Sequence, residues 1–257
     1  GAEFGRGVVT VKNNSTLNTG YQQFYMSEGE LNAIGTGSAD DKTTVNIGGT
    51  WGTYTILGCD ANSTSVINVT NGAEVNVRTV GFYTGFDGSN DSSVFINVDG
   101  SESKFTVAAT TPPHPEVPNS ASPITTVLGF YSGASCGKPQ IVSATELKAT
   151  NGGVIDFQCA TTMLGYGDLS EGSSVVIDVD KESTLKAQSV YMYKGTQITN
   201  EGNASIAALN VWGGEMNNAG ELSVESVSTA GGALNNSGNM SAGCKRNDGA
   251  SGVKNFV

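Results

Sequence analysis

Apolar and polar residues alternate in short runs along most of this chain. In Ile67-Asn68-Val69-Thr70-Asn71-Gly72-Ala73-Glu74-Val75-Asn76-Val77, residues 67, 69, 75 and 77 are apolar and polar residues stand between them. A period of two is that of a strand with one buried face. Asn71-Gly72 offers the positive φ that a sharp turn needs. The stretch therefore predicts strand, turn, strand.

The same phrase recurs. Leu147-Lys148-Ala149-Thr150-Asn151-Gly152-Gly153-Val154-Ile155-Asp156-Phe157 matches it without a gap, and Ile96-Asn97-Val98-Asp99-Gly100 and Ile177-Asp178-Val179-Asp180 repeat its first half. A shorter form runs from Ile198 to Ile206, from Met216 to Val224 and from Leu234 to Ala242. Fainter copies start at Val9 and Val45. Aligned on the first apolar residue, the copies start at 9, 45, 67, 96, 147, 177, 198, 216 and 234, and the last three starts are 18 residues apart. Helical repeats would show heptad-like apolar spacing, and leucine-rich repeats their own Leu and Asn consensus; neither is present. A rung of about 18 to 30 residues, all strand and turn, predicts an all-β parallel β-helix. Nine coils at about 4.8 Å each would make a rod of roughly 43 Å.

Leu57-Gly58, Val80-Gly81-Phe82-Tyr83, Leu128-Gly129-Phe130-Tyr131 and Leu164-Gly165-Tyr166 each follow a two-strand phrase. They read as the third strand of the rung, with Phe82, Phe130 and Tyr166 stacked in one ladder. Asn68, Asn97, Asn217 and Asn235 each follow the first apolar residue of their phrase, so they are expected to form ladders that hydrogen-bond along the stack.

The domain plan is a single β-helix over residues 5–242. Residues 1–4, Gly-Ala-Glu-Phe, resemble a cloning remnant, since Glu-Phe is what an EcoRI site encodes. Residues 12–35 read as an irregular N-terminal cap and 243–257 as a C-terminal cap or tail, because the open ends of such a stack need covering. Five of the six prolines fall between 112 and 123. Proline is excluded from central strands, so 109–123 is expected to project as a loop, where binding residues tend to sit. Pro112, Pro113, His114, Pro115 and Glu116 are its candidate contacts. Exposed aromatics that could stack on sugars come next: Trp212, then Tyr83 and Tyr131, for which core packing is the competing role.

Composition narrows the function. Only 14% of residues are charged and the net charge is −11. That balance disfavours nucleic acid and anionic membrane surfaces as partners. No apolar run reaches the roughly 20 residues that span a bilayer, so no membrane insertion is expected. No signal peptide stands at the start. The four cysteines, Cys59, Cys136, Cys159 and Cys244, contain no CxxC pair, and with one histidine they predict no zinc site. Cys136 and Cys159 lie about one coil apart, close enough to bridge if the chain is exported; four buried thiols are the alternative.

Candidate catalytic and metal groups are sparse. Asp40-Asp41 is the one adjacent acidic pair and reads as a turn before Val45. Asp156 and Asp178 occupy matching outward positions in their rungs, where they would share a face if the rungs were equivalent. Asp87-Gly88-Ser89-Asn90-Asp91 has alternate oxygen ligands but lacks the EF-hand glycine and distal glutamate, so it reads as a turn. Thr53-Tyr54-Thr55 is not repeated on later rungs, which argues against an ice-binding array. Neither a cofactor nor a metal is expected.

Met216-Asn217-Asn218-Ala219-Gly220-Glu221-Leu222-Ser223-Val224 and Gly232-Ala233-Leu234-Asn235-Asn236-Ser237-Gly238-Asn239-Met240 resemble rungs of bacterial autotransporter passenger domains and related β-helical surface adhesins. The likeness covers roughly residues 140–242 well and the earlier part loosely. It implies a right-handed parallel β-helix, export to the bacterial cell surface, and adhesion to host glycans or proteins, or self-association between cells. On this reading the chain is not an enzyme. A carbohydrate-active β-helix enzyme and a ligand-free stalk are the alternatives.

Overall fold

A computed structural model describes residues 2–4, 6–20, 23–48, 54–79, 81–85, 91–109, 125–129, 143–165, 174–245 and 251–256. Its strands follow the period-two alternation of the sequence. After β1 (Ala2–Phe4), the first coil is β2 (Val8–Lys12), β3 (Thr16–Asn18) and β4 (Phe24–Met26). The second is β5 (Gly29–Ile34), β6 (Thr44–Gly48) and β7 (Tyr54–Leu57); the third is β8 (Thr64–Thr70), β9 (Glu74–Thr79) and β10 (Gly81–Thr84). The fourth is β11 (Ser92–Asp99), β12 (Lys104–Ala109) and β13 (Thr125–Leu128); the fifth is β14 (Ser143–Thr150), β15 (Val154–Phe157) and β16 (Thr161–Leu164).

From the sixth coil onward the second and third strands merge into one long bent strand. These coils are β17 (Ser174–Val179) with β18 (Thr184–Met192), then β19 (Thr196–Asn200) with β20 (Asn203–Val211). Next come β21 (Glu215–Asn218) with β22 (Glu221–Thr229), and β23 (Ala233–Asn236) with β24 (Asn239–Lys245). The last strand, β25 (Ser251–Phe256), turns back and pairs antiparallel with β24, whereas every other pairing among the described residues is parallel.

The molecule is a parallel β-helix of nine coils. Its first strands form one sheet, β2-β5-β8-β11-β14-β17-β19-β21-β23. Second and third strands form two further columns that fuse at β18. Like residues lie over like. Val9, Leu31, Ile67, Ile96, Leu147, Ile177, Ile198, Met216 and Leu234 form one unbroken column. A second column runs Leu17, Val45, Val75, Phe105, Ile155, Leu185, Ala204, Leu222, Met240. Most of these side chains are fully buried, each worth about 1.5–3 kcal/mol of apolar transfer. Phe82, on the third side, meets Phe105 across the interior with ring centroids 5.9 Å apart.

The turns expected from Asn-Gly are present. Asn71 and Gly72 have φ of 54° and 78°, and Asn151 and Gly152 of 54° and 89°. At the end of the third strand, Gly58, Gly85, Gly129 and Gly165 all take positive φ near 64–74° and turn the chain towards the next coil.

Four sequence expectations change. The second coil starts at Leu31, not Val45, which belongs to the second-strand column. Residues 12–35 are no cap: they hold β3, β4 and the whole of β5, three ordinary strands of the stack. Thr84-Gly85, rather than Val80-Gly81, aligns with Leu57-Gly58 and Leu128-Gly129. Phe82 consequently stacks between Thr55 and Thr126, not in an aromatic ladder; Phe130 and Tyr166 lie outside the described residues.

Candidate functional site

Stacking in register turns each outward position into a column, and the three sides differ. On the first-strand sheet, Asn32, Asn68 and Asn97 are linked by side-chain amides at 2.9 Å, and Asn235 reaches Asn217 at 2.9 Å near the other end. The ladder is thus real but interrupted, because Lys148, Asp178 and Thr199 fill the intervening places. The second-strand sheet carries its own ladder: Asn46 donates to Asn18 at 2.8 Å and Asn76 to Asn46 at 3.3 Å. Further along that column, Asp156 accepts from Lys104 Nζ at 2.9 Å and from Gln158 at 2.9 Å. Asp178 belongs to the other sheet, so Asp156 and Asp178 share no face, contrary to expectation. The two sheets repeat the same apolar-polar-apolar phrase, which is why these rungs read as equivalent.

A third ladder is buried. Asn200 donates to Asn218 Oδ1 at 2.6 Å, and Asn218 to Asn236 Oδ1 at 2.6 Å. Each amide also caps backbone carbonyls at the corner: Asn218 reaches Gly220 O and Asn239 O, both at 3.2 Å. These asparagines replace the inward Val179 and Ala149 of earlier coils and make the 18-residue rung self-sufficient. Their role is structural. Asp40 and Asp41 lie in the turn between β5 and β6, where Asp41 accepts from Asn14 Nδ2 at 3.2 Å.

The third side is different in chemistry. The register column that alternates with its inward threonines runs Tyr25, Ile56, Tyr83, Val127, Met163, Tyr191, then Asn210 and Ser228; within it Ile56 and Val127 are buried. Tyr83 is half-buried and points outward beside Tyr54, with centroids 5.9 Å apart. Burial, and then the neighbouring Tyr54, push its phenol above the usual tyrosine range. Just past the C-terminal end of β20, where the chain leaves the third side, stands Trp212. It is 43% exposed. Two rings meet it edge-to-face: Tyr191 at 5.1 Å and 73°, and Tyr193 at 5.6 Å and 89°. T-shaped contacts of this kind are worth about 0.5–1.5 kcal/mol each beyond area burial, and they hold the indole in one orientation. Its backbone is fixed as well, since Trp212 N donates to Met192 O at 2.8 Å.

Beside this cluster the chain turns through Gly195, Gly213-Gly214 and Gly231-Gly232. A Cβ on Gly214 would lie 2.3 Å from Thr196 Oγ1, and one on Gly232 2.6 Å from Val211 Cγ1. Close coil packing demands glycine there. The outcome is a trough whose glycine turns leave the backbone bare over three successive coils, bordered by Val176, Gln197, Glu215 and Ala233 in one outward column.

Of the residues singled out in the sequence, Trp212 is described and outward-facing. Pro112, Pro113, His114, Pro115, Glu116, Tyr131 and Cys136 lie outside the described residues. Cys159 is a buried free thiol, with its sulfur 3.2 Å from Thr126 Oγ1 and 3.4 Å from Thr162 Oγ1. Tyr191 and Tyr193 were not anticipated. The signal was available: Met192 pairs with Val211, which places Tyr193 one coil before Trp212.

Comparison with known proteins yields no matching family model, no matching curated protein and no matching solved structure.

Proposed function

We propose that this chain is a non-enzymatic adhesive rod of a bacterial cell surface, which holds contact groups in fixed positions for host glycans or proteins, or for the same protein on another cell. The observation that carries this reading is the Trp212 cluster. A large aromatic left 43% exposed and clamped edge-to-face by two tyrosines forfeits burial that the core could have supplied. Rigid, outward, pre-oriented aromatics are the groups that dominate binding energies at recognition surfaces. The stack of coils supplies the rigidity, since the backbone on both sides of Trp212 is locked to the coils before and after it. Such an arrangement suits holding a ligand, where no bond need be broken.

The intact chain applied to a glycan array and to mammalian cells tests the reading. Saturable binding to glycans or to cells is the expected result. Absence of binding to glycans, to cells and to itself would overturn it in favour of a ligand-free stalk.

A further inference from the structure

We infer that the C-terminal end of the rod is an interface for a second copy of this chain, the two joined end to end about a two-fold axis. The inference stands on the shape of that end and is independent of Trp212.

The end is stepped. On the first side the stack stops at β23, in the ninth coil, and β23 pairs with β21 alone. The second side is one strand longer, because β25 lies over β24. The third side is one strand shorter. There β24 follows β22 only as far as the pair Val224 and Ala242, so among the described residues 226–229 pair with β20 on one edge and with nothing on the other.

Exposure shows that this end is open. Val227 stands at an inward position yet is 37% exposed, whereas Leu209 and Val190 in the same column are 1% and 2% exposed. Leu234 is likewise only partly buried, over a Met216 that is fully covered. Asn236 ends the buried ladder. Among the described residues its amide donates to Gly238 O at 2.9 Å, without the link to a following coil that Asn200 and Asn218 make. Ala230 N donates to Val211 O, so strand alternation turns the N–H and C=O of Val227 and Thr229 the other way, to the open edge.

Such an end fits itself. A two-fold axis through the middle of β23, perpendicular to the rod, sets β23 antiparallel to β23 of the second copy. It also exchanges the second and third sides. The extra strand of each copy, β25, then enters the place left empty on the third side of the other, beside residues 226–229 of β22. β25 runs against β24, and so does the second copy's β22 after the rotation. The two therefore meet in parallel, the pairing that β22 already makes with β20. Each open edge is covered by a strand, which is how exposed sheet edges are satisfied between chains. The signs of charge agree, since Glu225 is the sole charged residue of 225–229 and Lys254 that of β25. Head-to-tail stacking fits worse. There β1, which lies over β4, would fill the third side, but β25 would collide with β3.

The test follows the full chain by sedimentation velocity from about 1 to about 200 µM in about 0.15 M salt, and by small-angle X-ray scattering. A dimer with no larger species is expected, because a two-fold contact closes on itself. Its longest dimension should be about twice the roughly 43 Å of nine coils. Thr229→Pro removes an N–H from the open edge and none from the ladder with β20, and should weaken the dimer about ten-fold or more with circular dichroism unchanged. Val227→Lys sets a charge at the recessed edge and is expected to do the same; it decides the matter if the proline variant does not fold. Val8→Lys, at a 65% exposed position of the opposite end, should leave the dimer unaltered. A chain that is monomeric throughout overturns the inference. So do a compact side-by-side dimer, an open series of larger species, a dimer indifferent to Val227→Lys, and one dissociated by Val8→Lys. A monomeric chain that still binds glycans or cells removes this inference and leaves the adhesive reading intact.

Discussion

The side-chain amide of Asn218 donates to Asn236 Oδ1 at 2.6 Å, one full coil away. The same nitrogen serves Gly220 O and Asn239 O. One buried side chain therefore joins two coils and satisfies backbone carbonyls at the corner of each. Asn218→Ala would leave those acceptors, and the amide of Asn200, without this partner. Gly220 O keeps Asn239 N and the Asn200 amide keeps Gly202 O and Glu221 O, so the expected loss is about 2 kcal/mol, within the range of about 1–3 kcal/mol for a buried polar group left unsatisfied. Asn217→Ala, at the neighbouring outward position, removes one part-exposed bond to Asn235 and should cost about 0.5 kcal/mol. Urea denaturation of both variants checks the contrast; equal losses would mean that the buried ladder does not hold the coils.

The corner just after that asparagine admits no side chain. A Cβ on Gly220 would lie 2.2 Å from Gly202 O and 2.4 Å from Glu201 O, both backbone atoms of the preceding coil. The coils cannot separate locally without breaking the parallel ladder on either side. Gly220→Ala is therefore expected to destabilise by about 3 kcal/mol or more. Gly7→Ala meets nothing within 4 Å and should change stability by less than about 0.5 kcal/mol. Thermal melts of the two single variants measure the difference.

The ladders also explain what could be read from sequence and what could not. Ile67, Ile96, Leu147, Ile177, Ile198, Met216 and Leu234 were legible as one column because each opens an apolar-polar-apolar phrase. Val45-Asn46-Ile47 has the same form and misled, because the second-strand sheet carries an outward asparagine ladder of its own, Asn18-Asn46-Asn76. A phrase shared by two faces does not say which face it occupies. Asp156 and Asp178 were paired in error for the same reason. The third strand was the least legible. It is only three or four residues long in the early coils, and its inward positions include Thr55, Thr84, Thr126 and Thr162, so alternation does not mark it. Buried threonines are tolerated there because most find partners, as when Thr84 and Thr145 share a hydrogen bond of 2.8 Å. Trp212 was visible by its chemistry alone. Its partners Tyr191 and Tyr193 emerge only once the coil period is known.

Asp180 ties one corner to the coil before it, and this link is sensitive to acid. Burial would raise its carboxyl pKa, but the Ser183 hydroxyl at 2.6 Å, Asn151 N at 2.7 Å and Glu182 N at 3.1 Å outweigh that and hold it below the ordinary 3.8. A carboxylate whose pKa is depressed by folding adds stability above its unfolded value, and that increment disappears as pH falls through the folded value. Asp180→Asn should thus melt at lower temperature than the parent at pH 5–7, and the gap should close as pH drops below about 4. Melting curves of both proteins from pH 7 to pH 3 test this. A gap that stays constant over the range would show that the charge of Asp180 is not what these three donors stabilise.

Cys159 provides a test of the core itself. Only 1% of the residue is exposed, and its sulfur lies against the hydroxyls of Thr126 and Thr162. A thiol so deeply buried is out of reach of an alkylating reagent. Iodoacetamide should therefore leave Cys159 unmodified in the native chain, on a timescale set by global or local unfolding of the fifth coil. In denaturant without reductant, a free thiol at 159 becomes fully alkylated, as peptide mass mapping would record. A bridge to Cys136 would behave differently, with Cys159 resisting alkylation in denaturant until a reductant is added. Protection in the native state followed by full modification in denaturant alone is the expected pair of results. Rapid native modification would instead mean that the wall between β13 and β16 opens readily, and the parallel stack would then be weak along its short third strands.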